Sequence, residues 1–481
     1  MQDLKYVYFT EPYAHQREAF EASARAKTFA LLLDMGTGKT KVALDTTGFL
    51  FKQSLIELVL VVAPKGVIAN WIPEIKTHLP PEIEREVVLW NPTLTQKVRG
   101  TLNVLHEKSS KLKFLLMNVE AFSTKKGVDV ATLFVKRFKT FMVVDESTTI
   151  KNRKAKRTKA LCAVGRGALY RRILTGSPVT RSPLDLFSQM AFLDPSILGF
   201  SSFYAFQGRY SVVQRRTMGA HSFNHVVGFR RLDELTEKLA AHSFRVKKDD
   251  CLDLPDKVYT KRIVALTPEQ QRAYQQMKKL ALARLDSGEL STTQNVLTQI
   301  MRLQQICCGH LTDDDGEIHE LPSNRIKELL EVCEEVQGKV IIWATWTRDI
   351  RSIAEALRDC HGVQVVSTLH GETPDSERQR IVEDFQNRRS ELRFLVGHPK
   401  TGGYGLTLTA ASTVIYYSNS YDLELRVQSE DRAHRIGQTN KVTYVDLIVP
   451  GTIDEKIVKS LRAKINVADE ILGEAAREWL L

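Results

Sequence analysis

The sequence predicts an α/β protein of two parallel-sheet lobes in tandem, with a helical insertion and a β-hairpin protrusion between them. Short apolar runs rich in leucine and β-branched residues are each followed by an amphipathic stretch, first up to about residue 165 and again from Lys339 onward. Between the two series the pattern becomes aromatic-rich and then helical. Brief apolar runs alternating with helices mark a parallel sheet covered on both faces.

In the first series Thr28–Leu33 precedes a helix over Lys39–Phe51, and Leu58–Ala63 precedes one over Val67–Leu79. Phe114–Met117 is a further strand. Phe141–Val144 is another, followed by amphipathic Arg153–Val164. Ser201–Phe229 carries aromatics, then SVVQRRTM, Gly219-Ala220 and HSFNHVVGF, which reads as a hairpin. Pro268–Cys308 is helical, opening on Thr267-Pro268-Glu269, a favourable helix start. In the second series Val340–Trp343, Val363–Thr368, Phe394–Val396, Val414–Tyr417 and Val442–Ile448 are strands, with helices over Thr347–Leu357 and Glu377–Phe385. The resulting division is 1–200, 201–323 and 324–481.

The 481 residues are enough for about three domains. A hydrophobic content of 43% supports real cores, and no apolar run approaches the roughly 18 residues a membrane span needs. The opening MQDLKYVYFTEPY lacks the features of a secretory signal. Six cysteines form no C-x-x-C pair, so neither a zinc site nor a disulfide framework is expected. The expected setting is intracellular: cytoplasm or nucleoid in a prokaryote or virus, nucleus in a eukaryote. A net charge of +11 favours polyanionic partners, although solubility alone accounts for it equally simply.

Two motifs carry chemistry in the first lobe. DMGTGKT at Asp34–Thr40 sits between a strand and a helix. Gly36 and Gly38 let backbone N–H groups, with that of Thr37, turn onto phosphate oxygens at a helix N-terminus. Lys39 reaches the terminal phosphates, and Thr40 offers a hydroxyl to Mg²⁺. Where the eight-residue pattern begins with glycine, this chain has Leu33. The second motif, FMVVDEST at Phe141–Thr148, delivers two carboxylates to the end of a buried strand. Asp145 is the candidate Mg²⁺ ligand, and Glu146 the candidate base for the attacking water.

With these, LTGSPV at Leu174–Val179 and QSEDRAHRIGQ at Gln428–Gln438 resemble the Swi/Snf-type ATPases of helicase superfamily two. PYAHQREAF, VVAPKGVIANWIPEI, MNVEAF, LHGETPDSERQRIVEDFQ and GGYGLTLTAASTVIYY fall in the order that family shows. The resemblance implies RecA-like lobes that hydrolyse ATP with Mg²⁺. It makes Gln16 a reader of the adenine edge, Gly405 and Gln428 further nucleotide contacts, and Arg432 and Arg435 arginine fingers from the second lobe. A guanidinium at developing phosphate charge is worth orders of magnitude in rate. The Arg432/Arg435 spacing puts both on one face if they lie on a helix. The chain departs from the family pattern at Ser147-Thr148, at Thr180-Arg181 and at Thr407. Thr407, the short hairpin insertion and the absence of chromatin-reading appendages are more similar to the compact annealing-helicase branch and to bacterial and phage relatives.

The same resemblance implies nucleic-acid contacts at Lys65, Asn70 and Asn118 in the first lobe and at Lys400 and Thr401 in the second, mostly to phosphate and therefore insensitive to sequence. Double-stranded DNA is the expected track, single-stranded or forked DNA the alternative, and RNA a lesser one. Trp71 is a core residue or a base-stacking one, with core favoured. The run KNRKAKRTK at Lys151–Lys159 holds six basic residues and no acid, and is either a solvated helix face or a phosphate contact. Cys307, Cys308 and His310 read as core packing at a helix end. The expected function is ATP-dependent DNA translocation or remodelling. A strand-separating or annealing helicase, with the hairpin as wedge, and a non-catalytic ATP-switched clamp are the alternatives.

Overall fold

The computed structural model describes residues 6–93, 105, 109–179, 182–218, 221–251, 254–286, 293–313, 315–402 and 406–463. The first six strands are β1 (Thr28–Leu33), β2 (Leu58–Ala63), β3 (Arg85–Leu89), β4 (Leu112–Asn118), β5 (Thr140–Asp145) and β6 (Tyr170–Leu174). Two more, β7 (Ser211–Met218) and β8 (His221–Phe229), pair antiparallel as a hairpin. With β9 (Ser243–Val246) the first six form one sheet in the order β3-β4-β2-β5-β6-β1-β9, every pairing parallel.

A second sheet uses β10 (Lys257–Ile263), β13 (Lys339–Trp343), β14 (Val366–Leu369), β15 (Phe394–Gly397), β16 (Ala411–Tyr416) and β17 (Val442–Ile448). Its order is β10-β17-β16-β13-β15-β14, again all parallel. A short antiparallel pair, β11 (His310–Thr312) and β12 (Ile318–Glu320), stands apart. The predicted pair of parallel-sheet lobes is therefore present.

The chain divides into two compact units, Met1–Asp253 and Leu254–Leu481. The hairpin belongs to the first and the helices Pro268–Asp286 and Thr293–Cys308 to the second. Alternation along β13 shows why both sheet faces must be covered. Val340 and Ile342 join the core with Leu303, Ile306 and Cys307 of the helical segment, while Ile341 and Trp343 join Leu369, Phe385 and Tyr416 on the other face.

Several strands escaped the sequence reading because they are not apolar runs. β3, β9 and β10 are sheet edges, where one flank faces no neighbouring strand and charged residues are tolerated. β6 is interior, yet it reads YRRIL. Its Arg172 is fully buried and donates to the carbonyls of Ser23 and Ala26 at 2.5 and 2.7 Å.

Other boundaries need correction. Phe203–Tyr210 is a helix preceding the hairpin, started by the Ser202 side chain accepting from Ala205 N at 3.2 Å. The helix in the basic run begins at Lys156 rather than Arg153. Val363–Val365 is a 3₁₀ turn rather than strand, after Gly362 at φ 98°. The turn Gly219-Ala220 lies outside the described residues.

Candidate functional site

β1 ends at Leu33 and the next helix begins at Lys39, so Asp34–Gly38 form the connecting loop. Gly36 and Gly38 both take left-handed backbone, at φ 79° and 88°. That conformation favours glycine and turns consecutive N–H groups toward one side. A Cβ on Gly38 would collide with the Gln16 amide nitrogen. Gln16 is buried; its Nε2 donates to the Thr37 carbonyl at 3.0 Å, and its Oε1 accepts from Tyr13 N at 3.1 Å. His15 shares the Thr37 carbonyl at 2.8 Å. The Thr37 hydroxyl closes the loop onto the Asp34 carbonyl at 2.7 Å, and Asp34 Oδ2 accepts from Lys248 N at 3.0 Å. Lys39 is buried and folds back to donate to the Leu33 carbonyl at 3.0 Å. Thr40 follows Lys39 in the first turn of that helix.

β5 lies two strands from β1, with β6 between them, so both loops emerge at the same end of the sheet. Asp145, the last residue of β5, is buried. Its Oδ2 accepts from the Trp71 indole at 3.0 Å and its Oδ1 from Glu146 N at 2.9 Å. Burial and the neighbouring Glu146 charge raise the Asp145 pKa, while the Lys39 ammonium and the Trp71 bond oppose the rise. A buried carboxylate of that kind gains from a cation, which suits a Mg²⁺ ligand. Glu146 takes left-handed backbone, φ 48° and ψ 58°, unusual for a non-glycine residue.

Two residues that the sequence reading passed over tie these loops together. Gly176 of LTGSPV lies against the phosphate-loop backbone; a Cβ there would sit 3.1 Å from Asp34 Cα and Met35 N. Ser147 donates to Gln189 Oε1 at 2.7 Å, and Gln189 Nε2 donates to the carbonyls of Pro178 and Asp185 at 2.7 and 2.9 Å. Ser147 thus bridges through Gln189 to the LTGSPV segment. No spacing rule could have found Gln189, because it lies on a separate helix, Leu186–Leu193.

In the second unit Gln428 lies in the last turn of the Leu423–Glu430 helix, donating to Glu424 Oε1 at 3.2 Å. Arg432 and Arg435 are not on one helix face, as their spacing had suggested: the helix stops at Glu430 and both lie in the turns beyond it. The Glu430 carbonyl is taken by the Tyr444 hydroxyl at 2.8 Å, and Gly437 at φ 96° lets the chain reverse. Even so, both guanidinium groups donate to the Leu406 carbonyl, at 3.4 and 3.3 Å. Arg432 Nε also bonds the Gln428 carbonyl at 3.1 Å. Gly405 lies outside the described residues.

A buried ion network underlies that turn. Arg426 binds Asp446 at 2.6 Å and Glu430 at 2.7 Å, with its guanidinium 3.5 Å from the Tyr416 ring centroid. Arg462 adds a second bond to Asp446 at 2.9 Å. Burial pushes the Asp446 carboxyl up, but Arg426, Arg462 and Asn419 outweigh it and hold it below the ordinary range.

Lys65 opens a short helix after β2, Asn70 follows that helix, and Asn118 ends β4 beside Ala63. Lys65 is exposed, and Asn118 Nδ2 donates to Glu120 at 3.0 Å. Asn70 is half-buried, its Nδ2 without a hydrogen-bond partner among the described residues. Lys400 and Thr401 follow β15, their N–H groups donating to the His398 ring and carbonyl at 3.0 and 2.9 Å. Trp71 is a core residue, at 2% exposure. Cys307 and Cys308 are buried core thiols, and among the described residues no group of His, Cys, Asp and Glu could hold a metal ion by itself. Among those residues, too, no helix is long and apolar enough to cross a membrane.

The SNF2-related domain matches residues 20–311, and the helicase conserved C-terminal domain matches residues 323–437. The SWI/SNF chromatin-remodeling complex subunit snf22 of Schizosaccharomyces pombe is 26% identical over 91% of this chain and 26% of its own length. An uncharacterized ATP-dependent helicase of Mycoplasma pneumoniae is 26% identical over 92% of this chain and 40% of its own length. The chain thus spans less than half of these relatives. The solved Sulfolobus solfataricus SWI2/SNF2 ATPase core in complex with dsDNA is 24% identical, covers 98% of this chain and 95% of its own, and superposes with a TM-score of 0.43.

Proposed function

The chain belongs to the SNF2-related family, and from that premise we propose that it is an ATP-hydrolysing motor that moves along double-stranded DNA largely without regard to sequence. The observation that carries this reading is the convergence of Lys39, Asp145 and Glu146 at one end of the first sheet, on loops already fastened to each other. In this reading Gly36–Gly38 and Lys39 cradle the phosphates of ATP, Gln16 borders the base, and Thr40 and Asp145 hold Mg²⁺. When bound, the ion would supply charge neutralisation at the phosphates. Glu146 orients the attacking water and takes its proton. Arg432 and Arg435 act as a pair on phosphate charge, and their shared anchor on the Leu406 carbonyl supports a common direction.

The net charge of +11 and the exposed Lys65 and Lys400 support a phosphate-tracking contact. The decisive experiment compares ATPase rates with duplex DNA, single-stranded DNA and RNA, with Lys39→Ala as control. Duplex stimulation lost in Lys39→Ala supports the reading. No stimulation by any nucleic acid overturns it, and stimulation by RNA above DNA overturns the substrate. Glu146→Gln lowers turnover roughly 10²- to 10⁴-fold while retaining nucleotide binding; unchanged turnover removes Glu146 from the chemistry and leaves an ATP-switched clamp.

A further inference from the structure

Two basic features that the nucleotide site does not use are brought together in the first unit. One is the run Lys151–Lys159. The other is the arm made by the Phe203–Tyr210 helix and the β7–β8 hairpin. Between Asp194 and Asp233 the sequence has no acidic residue and five arginines. The Arg153 guanidinium lies 4.3 Å from the Phe203 ring centroid and 5.0 Å from that of Tyr204, and the Lys151 carbonyl accepts from Ser188 Oγ at 2.7 Å.

The arm is held firmly at its root. Arg209 pairs with Glu234 at 2.5 Å, the Tyr210 hydroxyl donates to the same carboxylate at 3.0 Å, and Arg230 donates to the carbonyls of Gly208 and Arg209 at 2.7 and 3.2 Å. Beyond the root, β7 and β8 pair along their whole length, about 26 Å at the usual rise, in a sheet of their own. The neighbouring acid Glu234 is thus already paired.

Tyr204 is 69% exposed, large for a tyrosine beside a packed aromatic cluster that includes Phe187, Phe203 and Phe206. A ring so exposed, beside the Arg153 guanidinium and with the exposed Lys154 and Lys156 close to Arg153 in the chain, has the composition of a stacking platform on a basic surface. Stacking needs an open base face. In a duplex both faces of each base are covered by its neighbours, whereas an unpaired strand presents them.

We propose that the Lys151–Lys159 run and the Phe203–Tyr210 helix form one contact surface for an unpaired nucleic-acid strand, with Tyr204 stacking a base and the run engaging phosphates. This rests on the reading of the protein as a nucleic-acid motor and adds a strand-specific contact to it, separate from the loops after β2 and β4.

The test uses the full chain and fluorescence anisotropy with a labelled oligothymidylate and a duplex of equal length, across a salt series. Tyr204→Ala lowers oligothymidylate affinity roughly 5- to 100-fold and leaves duplex affinity and nucleic-acid-free ATPase unchanged. Tyr204→Phe retains wild-type affinity. Lys154→Glu with Lys156→Glu reduces the slope of log affinity against log salt for the single strand by roughly 1.4, two phosphates at about 0.7 each. The proposal is overturned if Tyr204→Ala binds oligothymidylate as wild type does, if it loses duplex and single strand alike, or if the lysine pair leaves the slope unchanged. Wild type that is stimulated by duplex DNA while these variants behave normally sinks only this inference. Wild type that neither binds nor responds to any nucleic acid sinks the motor reading as well.

Discussion

The indole nitrogen of Trp71 donates to Oδ2 of Asp145 at 3.0 Å, joining the helix after β2 to the end of β5. The residue that looked like either core or a base-stacking ring is core, and its one polar atom fixes the carboxylate proposed to hold Mg²⁺. The other carboxylate oxygen is held by the backbone of Glu146, so each oxygen of Asp145 is oriented by one protein donor and keeps a second lone pair for a cation.

Trp71→Phe keeps the ring and removes the donor. The Mg²⁺ concentration for half-maximal ATPase should rise, or turnover fall, by roughly 10- to 100-fold, the usual cost of losing a hydrogen bond that orients a metal ligand. Titrating ATPase against Mg²⁺ checks this; an unaltered Mg²⁺ profile and rate would show that Trp71 only fills space.

Gly38→Ala should cost about 1–2 kcal/mol of stability for left-handed backbone alone, and more because the new Cβ meets the Gln16 amide. Nucleotide affinity should fall with it, since the loop can relax only by moving Gln16 or the Thr37 carbonyl. Binding of a fluorescent ATP analogue and thermal denaturation measure the two effects. Wild-type affinity in the variant would remove the loop from nucleotide binding.

Gln189→Leu deletes the bridge from Ser147 to Pro178 while keeping side-chain volume. It leaves the Ser147 hydroxyl and two carbonyls without their partner, at about 1–3 kcal/mol for each group that stays buried and unsatisfied. Nucleotide binding should survive, whereas DNA stimulation of ATPase should weaken several-fold if this bridge links the Asp145–Glu146 loop to LTGSPV. Equal stimulation in variant and wild type would leave the bridge a structural one.

Asp446→Asn breaks a buried pair whose arginine partners remain, with an expected loss of about 3–5 kcal/mol. The pH dependence follows from the direction of the shift. The folded carboxyl lies below its ordinary value, so its stabilisation is fully present above the unfolded-state value of about 4 and is lost as pH falls from there toward the folded value. Denaturant unfolding of wild type should therefore show an acid loss that Asp446→Asn lacks. Parallel acid profiles would assign the loss to other carboxylates.

Much of this protein was legible before folding was considered. The alternation of apolar runs and amphipathic stretches determined two parallel sheets because a strand buried on both faces must be apolar at every position, as β2 is at all six. DMGTGKT could be read in place because its glycines and lysine act locally, through backbone conformation at a strand–helix junction, and the ordered motifs pointed to the family that the SNF2-related match shows. Tertiary structure decided the rest. The edge strands β3, β9 and β10 are charged because burial there comes from one side only, which no local pattern announces. The pairing of Trp71 with Asp145, of Ser147 with Gln189, and of Arg153 with Tyr204 depends on which segments fold back on which. Arg432 and Arg435 show the limit most clearly: their spacing suits a helix, but the helix ends two residues earlier, and only a shared carbonyl, that of Leu406, holds both in one place.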